Sequence, residues 1–168
     1  MNNFFAFAAL LIILAAAGPH AEGGPAKWRV FRGAWFEIKY PPGFTARPSI
    51  KSPSAENGFD SAFFTSGDGT VEFYVYSPQW NGSPTDILPD PSTEKVVSSK
   101  TVKSGDGKTV MTAIRAADGS HVRYINDTED AGSNTRLVFG LKCRDDAACG
   151  KFRRGYERFR KSLVRFGD

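Results

Sequence analysis

The stretch KFRRGYERFRKSLVRF, residues 151–166, decides how this chain is read. Phe152, Tyr156, Phe159, Leu163 and Phe166 recur at helical spacing and fall on one stripe of a 3.6-residue helix. Lys151, Arg154, Arg158, Lys161 and Arg165 fall on a second band roughly opposite, and Glu157 is the only acidic residue within the stretch. An aromatic stripe of this kind needs a large, flat apolar surface to cover. The preceding chain reads as the sheet that supplies it.

Immediately upstream, Thr135 to Cys143 alternates, with Leu137, Phe139, Leu141 and Cys143 on one face. Asp145 or Asp146 then caps the helix, a carboxylate satisfying free amide groups there. Ser61 to Ser77 is a hairpin about Asp68-Gly69, with Val71, Phe73 and Val75 on one face and Glu72, Tyr74 and Tyr76 on the other. Two further hairpins run from Glu94 to Asn126 and turn at Asp106-Gly107 and Asp118-Gly119. A three-residue loop at Ala117-Asp118-Gly119 pairs Ile114 with Val122 and Met111 with Ile125. The segment Glu94–Lys103 is polar on both faces and carries Lys95, Lys100 and Lys103, as suits a protected edge strand. Trp35 to Tyr40 alternates and stops at Pro41-Pro42-Gly43. Residues 46–60 lack any period and read as loop, and residues 78–93 are a long proline-rich connection. The expected fold is α+β: a single antiparallel β-sheet built from hairpins, packed by a C-terminal amphipathic helix.

The start of the chain sets the compartment. Phe4 to Ala17 is an uninterrupted apolar run, too short for a membrane-spanning helix, and small residues follow it. Ala15-Ala16-Ala17 or Pro19-His20-Ala21 offers a cleavage site, and the second leaves a polar, flexible start at Glu22. Residues 1–21 are therefore assigned to a signal peptide and residues 22–168 to one domain, periplasmic or secreted, without a transmembrane segment in the mature chain. About 147 residues suffice for one domain with a real core. The chain carries 22 basic and 18 acidic residues, and Lys151, Arg153, Arg154, Arg158, Arg160, Lys161 and Arg165 concentrate the excess at its C-terminal end.

The two cysteines, Cys143 and Cys149, form an even pair in an exported chain and read as a structural disulfide rather than a metal site. A bridge over so short a loop contributes about 2 kcal/mol in the chain-entropy model.

The order of parts resembles the PsbP-like family, named after the extrinsic accessory subunit of photosystem II, with relatives among exported bacterial proteins. The resemblance is carried by Phe36-Glu37-Ile38-Lys39-Tyr40-Pro41-Pro42-Gly43-Phe44, by the Asp-Gly hairpins, and by the ending Tyr156 to Phe166 with Ser162-Leu163. It implies an antiparallel sheet with helices packed on it and mostly non-catalytic roles. Residues 46–60 and 84–95 are poor helix formers where members usually carry an earlier helix.

Chemistry-bearing motifs are few. No G-x-S-x-G, nucleotide-binding glycine loop or H-E-x-x-H occurs. His121 follows an Asp-Gly turn and reads as a solvated hairpin residue. Asp127, Glu129 and Asp130 cluster in what reads as a loop, without the glycine and distal glutamate of a calcium loop. Asn81-Gly82-Ser83 and Asn126-Asp127-Thr128 are glycosylation acceptors in a host that glycosylates, and otherwise turns. No catalytic residue, metal or cofactor is expected. Two classes of function remain. In the first, a non-catalytic binding or accessory protein meets an unknown protein or anionic envelope component, not specific nucleic acid, through Lys151, Arg154, Arg158, Lys161 and Arg165. In the second, a small-ligand binder or enzyme uses a pocket between the strand 71–76 and the loop 78–93, lined by Tyr74, Tyr76 and Trp80.

Intact-mass measurement of the protein from its native host is expected to show a chain beginning near Glu22. Recovery of the Met1 form from a soluble fraction would overturn the export reading.

Overall fold

A computed structural model describes residues 27–166, so the expected signal peptide and the mature start at Glu22 lie outside the described residues. The elements in chain order are β1 (Arg29–Arg32), β2 (Phe36–Tyr40), β3 (Phe44–Pro48), β4 (Ser61–Ser66), β5 (Val71–Tyr76), β6 (Glu94–Ser104), β7 (Gly107–Ala116), β8 (Val122–Asp130), β9 (Thr135–Cys143), α1 (Asp146–Lys161) and β10 (Val164–Arg165). The chain is α+β, but it builds two antiparallel sheets where one was expected. The larger has seven strands in the order β3-β4-β5-β9-β8-β7-β6, and the smaller has three in the order β1-β2-β10.

The split originates at Pro41-Pro42-Gly43. Gly43 takes φ 82°, a left-handed turn, and the prolines remove ladder donors, so β2 cannot run on into the large sheet. β2 instead folds over one face of that sheet beside α1 and takes β1 and β10 as partners. Its Phe36, Ile38 and Tyr40 are buried, with the Tyr40 ring 5.0 Å from Phe64. The chain then resumes as β3, which runs into the first residues, 46–48, of the expected loop. Arg47 and Pro48 mask its pattern, and an edge strand tolerates the proline.

The helix differs from its expected span at both ends. It begins at Asp146, after Asp145 accepts the Ala148 amide at 2.7 Å, so Asp146 joins Glu157 as an acidic residue of the helix. The Cys143–Cys149 disulfide ties the end of β9 to the first turn, as the cysteine pair implied. The helix stops at Ser162, whose hydroxyl accepts the Lys39 amide of β2 at 2.9 Å and donates to Phe159 O. Val164 and Arg165 then pair with Glu37 and Phe36. Leu163, Arg165 and Phe166 are thus off the helix. An open edge of β2 captured them.

Alternation decides which side chains meet α1. Val71, Phe73 and Val75 of β5 and Phe139, Leu141 and Cys143 of β9 face the helix, in the pattern read from the sequence. The Asp68-Gly69 turn forms with Gly69 at φ 70°, and hydrogen bonds from Ser66 and Thr70 hold the Asp68 carboxyl down at about 2. The next turn is Gly105-Asp106, one residue earlier than expected, because Gly105 supplies the positive φ and Ser104 pairs with Gly107. The β7–β8 register is also one residue off the expected one. Ala116 donates to His121 O, and Gly119, at φ 75°, donates to Ala116 O. Ile114 therefore stands opposite Arg123, and Met111 opposite Asn126. A one-residue shift exchanges the faces of every side chain that follows. Here it turns Ile114 of β7 onto the face away from the helix, in one row with Arg123 and Lys142. The edge strand β6 is exposed along nearly its whole length, as its lysines implied.

Phe159 is fully buried, with the rings of Phe64, Phe73 and Phe139 at 5.1, 5.2 and 6.1 Å. Phe159→Ala is expected to cost ~3–5 kcal/mol in urea unfolding, through lost transfer energy and a cavity. A loss below ~1 kcal/mol would show that this residue is not the centre of the core.

Candidate functional site

The face of the large sheet opposite α1, here the loop face, is covered by residues 78–93. This segment is rich in proline, so it lacks the amide donors to pair as a strand, and its carbonyls need partners from elsewhere. Two arginines supply them. Arg123 on β8 donates to Ile87 O at 3.1 Å and Leu88 O at 3.3 Å, and Arg136 on β9 donates to Gly82 O at 2.7 Å. Asp86 accepts the hydroxyls of Ser61 at 2.7 Å and Tyr74 at 2.6 Å. Burial first, and then the Asp86 bond, push the Tyr74 phenol well above its ordinary range, so it stays a donor. Ile87 is the apolar anchor, buried with Phe63, Tyr74, Tyr76 and Val138 in a second core cluster.

At its far end the loop is closed by a three-membered clasp. Glu94 at the start of β6 is paired with Arg123 and with His121 Nε2, the latter at 2.7 Å. The His121 side chain is only 18% exposed, so it is not the solvated residue expected from its turn. The register of β7 and β8 carries it onto Glu94. Burial works to raise the Glu94 carboxyl, but the bonds from His121 and Arg123 outweigh it and the net displacement is downward. Ser120 Oγ lies 3.2 Å from His121 Nδ1, which completes a serine–histidine–glutamate contact chain. In the surrounding turn the amides of Ala117, Gly119 and Ser120 donate to Thr93 O, Ala116 O and Asp118 Oδ1. These groups close the loop.

The acidic cluster expected in a loop is in β8. Asp127 is gripped by Arg136 at 2.9 and 2.6 Å, Glu129 pairs with Lys108 at 2.9 Å, and Asp130 accepts the Ser133 amide. Asn126-Asp127-Thr128 is likewise strand, while Asn81 is in the exposed part of the loop.

Of the sequence-derived groove residues, Tyr74 and Tyr76 share the cluster under the loop and Trp80 is apart from them. Tyr74 lines a cavity of about 300 Å³ between β5 and the loop, together with Asp86 and Ile87. Tyr76 is buried beneath the loop, so close to Gly82 that a Cβ there would stand 2.3 Å from the Tyr76 hydroxyl. Trp80 is 55% exposed and lines a different depression with Arg165 and Phe166. Alternation along β5 could not reveal this, since tertiary crossing of the loop decides it.

The basic residues divide similarly. Lys151, Arg154, Arg158 and Lys161 are exposed on α1, and none makes an ion pair among the described residues. Arg158 lies 4.4 Å over the ring of Trp28, which brings the start of β1 alongside the band. Arg153, Arg154, Glu157, Arg158 and Lys161 line one shallow depression. Arg165 belongs to β10 and faces the Trp80 depression. The acidic residues of the helix do not neutralise the band: Asp146 is held by Arg115 and Tyr124, each at 2.7 Å, and Glu157 faces Arg160 at 3.7 Å.

No family model and no curated protein matches the chain. Among solved structures it is similar to PsbP from the cyanobacterium Synechocystis sp. PCC 6803, with a TM-score of 0.51, 11% identity, and coverage of 90% of this chain and 100% of that one. Two structures of Mog1 also align, one a point mutant and one the Ran-binding protein of Saccharomyces cerevisiae. Their TM-scores are 0.42, at 9% and 8% identity, over 84% of this chain and 97% and 96% of theirs. The likeness to PsbP concerns the fold, which agrees with the resemblance read from the sequence.

The clasp makes a pH prediction. The Glu94 carboxyl lies lower in the folded protein than its ordinary 4.5, so its contribution is complete above that value and is lost as pH falls through the folded one. Glu94→Gln is expected to cost ~1–3 kcal/mol near pH 7. The gap to the wild type should close below the carboxylate range. A gap that is constant with pH would remove the charge from the clasp.

Proposed function

We propose that this is an exported, non-catalytic binding or accessory protein that engages an anionic surface through the outer face of α1. The observation that carries the reading is the burial of one side of the helix with four cations left on the other. Tyr156 and Phe159 are buried in the core, which forces Lys151, Arg154, Arg158 and Lys161 outward as one band without ion-pair partners among the described residues. An exposed, predominantly basic band, with Glu157 as its one acidic neighbour in the depression, attracts anions over a distance set by ionic strength. The apolar side of the helix is committed to the core, so the surface acts by charge and not by insertion. Among the described residues no helix is long and apolar enough to cross a membrane. The disulfide suits an oxidising compartment, where acidic lipid head groups, acidic polysaccharide and acidic protein faces are the available anions.

The test reverses three of the four cations of the band. Lys151, Arg154 and Lys161 are changed together to Glu, while Arg158 is kept because it rests on Trp28. Melting should change little, and capture by anionic vesicles or by an acidic polysaccharide should fall at least about tenfold, one decade in affinity. Wild-type capture should also fade as salt rises through the physiological range, where exposed charges are screened within about 8–10 Å. Equal capture of the variant, or wild-type binding to anionic and neutral surfaces alike, would overturn the reading.

A further inference from the structure

The cavity of about 300 Å³ on the loop face lies where the covered part of the sheet meets the open part. Its floor is one cross-strand row, Phe63 on β4, Tyr74 on β5, Gly140 on β9 and Ile125 on β8. Gly140 lets the loop approach: a Cβ there would stand 2.6 Å from Ile87 Cδ1 and 3.0 Å from Tyr74 Cβ. The wall formed by the loop is held in place by Asp86 and Arg123, so the site exists before any ligand arrives, which reduces the ordering cost of binding. Its size is at the lower end for small-molecule sites.

The lining carries charges of both signs, and they differ in how far they are compensated. Glu94 and Arg123 are paired with each other. Arg47, 4.5 Å over the Phe63 ring, and Lys142 have no ion pair among the described residues. Asp86 accepts only hydroxyls and Asp90 accepts the amide and hydroxyl of Ser92, so neither is met by a cation, whereas Glu72, which accepts the Thr65 hydroxyl at 2.9 Å, is directly across from Lys142 on β9. A purely anionic ligand would be repelled by these carboxylates, and a purely cationic one by Arg47 and Lys142. A ligand that carries both signs matches the lining.

We propose that this cavity binds a zwitterion of the amino-acid or short-peptide class with an apolar side chain. The carboxylate is taken by Lys142, the ammonium group by Asp86 and Asp90 on the loop, and the side chain lies on Ile125 beside Ile87. Phe63 and the Arg47 above it are at the other end of the row, three strand spacings from Ile125. The site is on the opposite face of the sheet from the basic band and does not depend on it.

Isothermal titration of the purified protein tests this with leucine and leucyl-leucine against two single-charge analogues. One is 4-methylpentanoate, which lacks the ammonium group, and the other is 3-methylbutylamine, which lacks the carboxylate. At least one zwitterion should bind, with both analogues at least about tenfold weaker, since one unmatched charge leaves a desolvated partner behind. Lys142→Gln, at an exposed position, should weaken the zwitterion about tenfold without altering melting. The Lys151, Arg154 and Lys161 variant should bind it normally. The proposal is overturned by absence of zwitterion binding at millimolar concentration, by an analogue that binds equally well, or by unchanged affinity in Lys142→Gln.

Discussion

The buried ring of Phe159 packs against Phe64, Phe73 and Phe139 of the large sheet, and its place there dictates where the other elements lie. A single helix cannot cover a face of this size. The remainder is covered by β2, whose Phe36, Ile38 and Tyr40 continue the same apolar layer. The two coverings are joined at Ser162, which ends the helix and bonds the β2 backbone at Lys39. Helix length and the existence of a second sheet are therefore one decision. The helix runs only as far as the sheet beneath it needs covering, and the chain beyond is used as a strand.

The two faces of the large sheet are stabilised by different physics. The helix face is an aromatic core whose burial is non-directional and scales with area. The loop face is sealed by a segment with few apolar side chains, Ile87 being the main one buried. Proline removes donors from that segment but leaves its carbonyls, so arginine donors from the sheet are the natural complement. Arg123 and Arg136 each bridge a loop carbonyl to a carboxylate. Directional bonds of this kind position a wall more narrowly than apolar contact does, and the cavity beside Tyr74 follows from that.

Charge is distributed by the same division. Arginines on the sheet are largely paired, whereas Arg154 and Arg158 on the outer face of α1 make no ion pair among the described residues, Glu157 beside them facing Arg160. The basic band and the mixed-charge cavity are consequently separate surfaces, one reading the sign of a partner and the other the placement of both signs within a small ligand.

Local periodicity determined much of this protein by itself. The alternation in β5 and β9, the Asp68-Gly69 turn, the exposed β6 edge, the aromatic stripe through Tyr156 and Phe159 and the cysteine pair were all legible, because each depends on neighbours within a few residues. The tertiary structure decided what local pattern leaves open. It placed β2 in its own sheet, took Arg165 and Phe166 from the helix, and parted Trp80 from Tyr74 and Tyr76, which share the cluster under the loop. It also shifted β7 against β8 so that Arg123 and His121 met Glu94. Strand partners and loop crossings join residues far apart in sequence, and the energy that selects them is realised only when those distant surfaces pack.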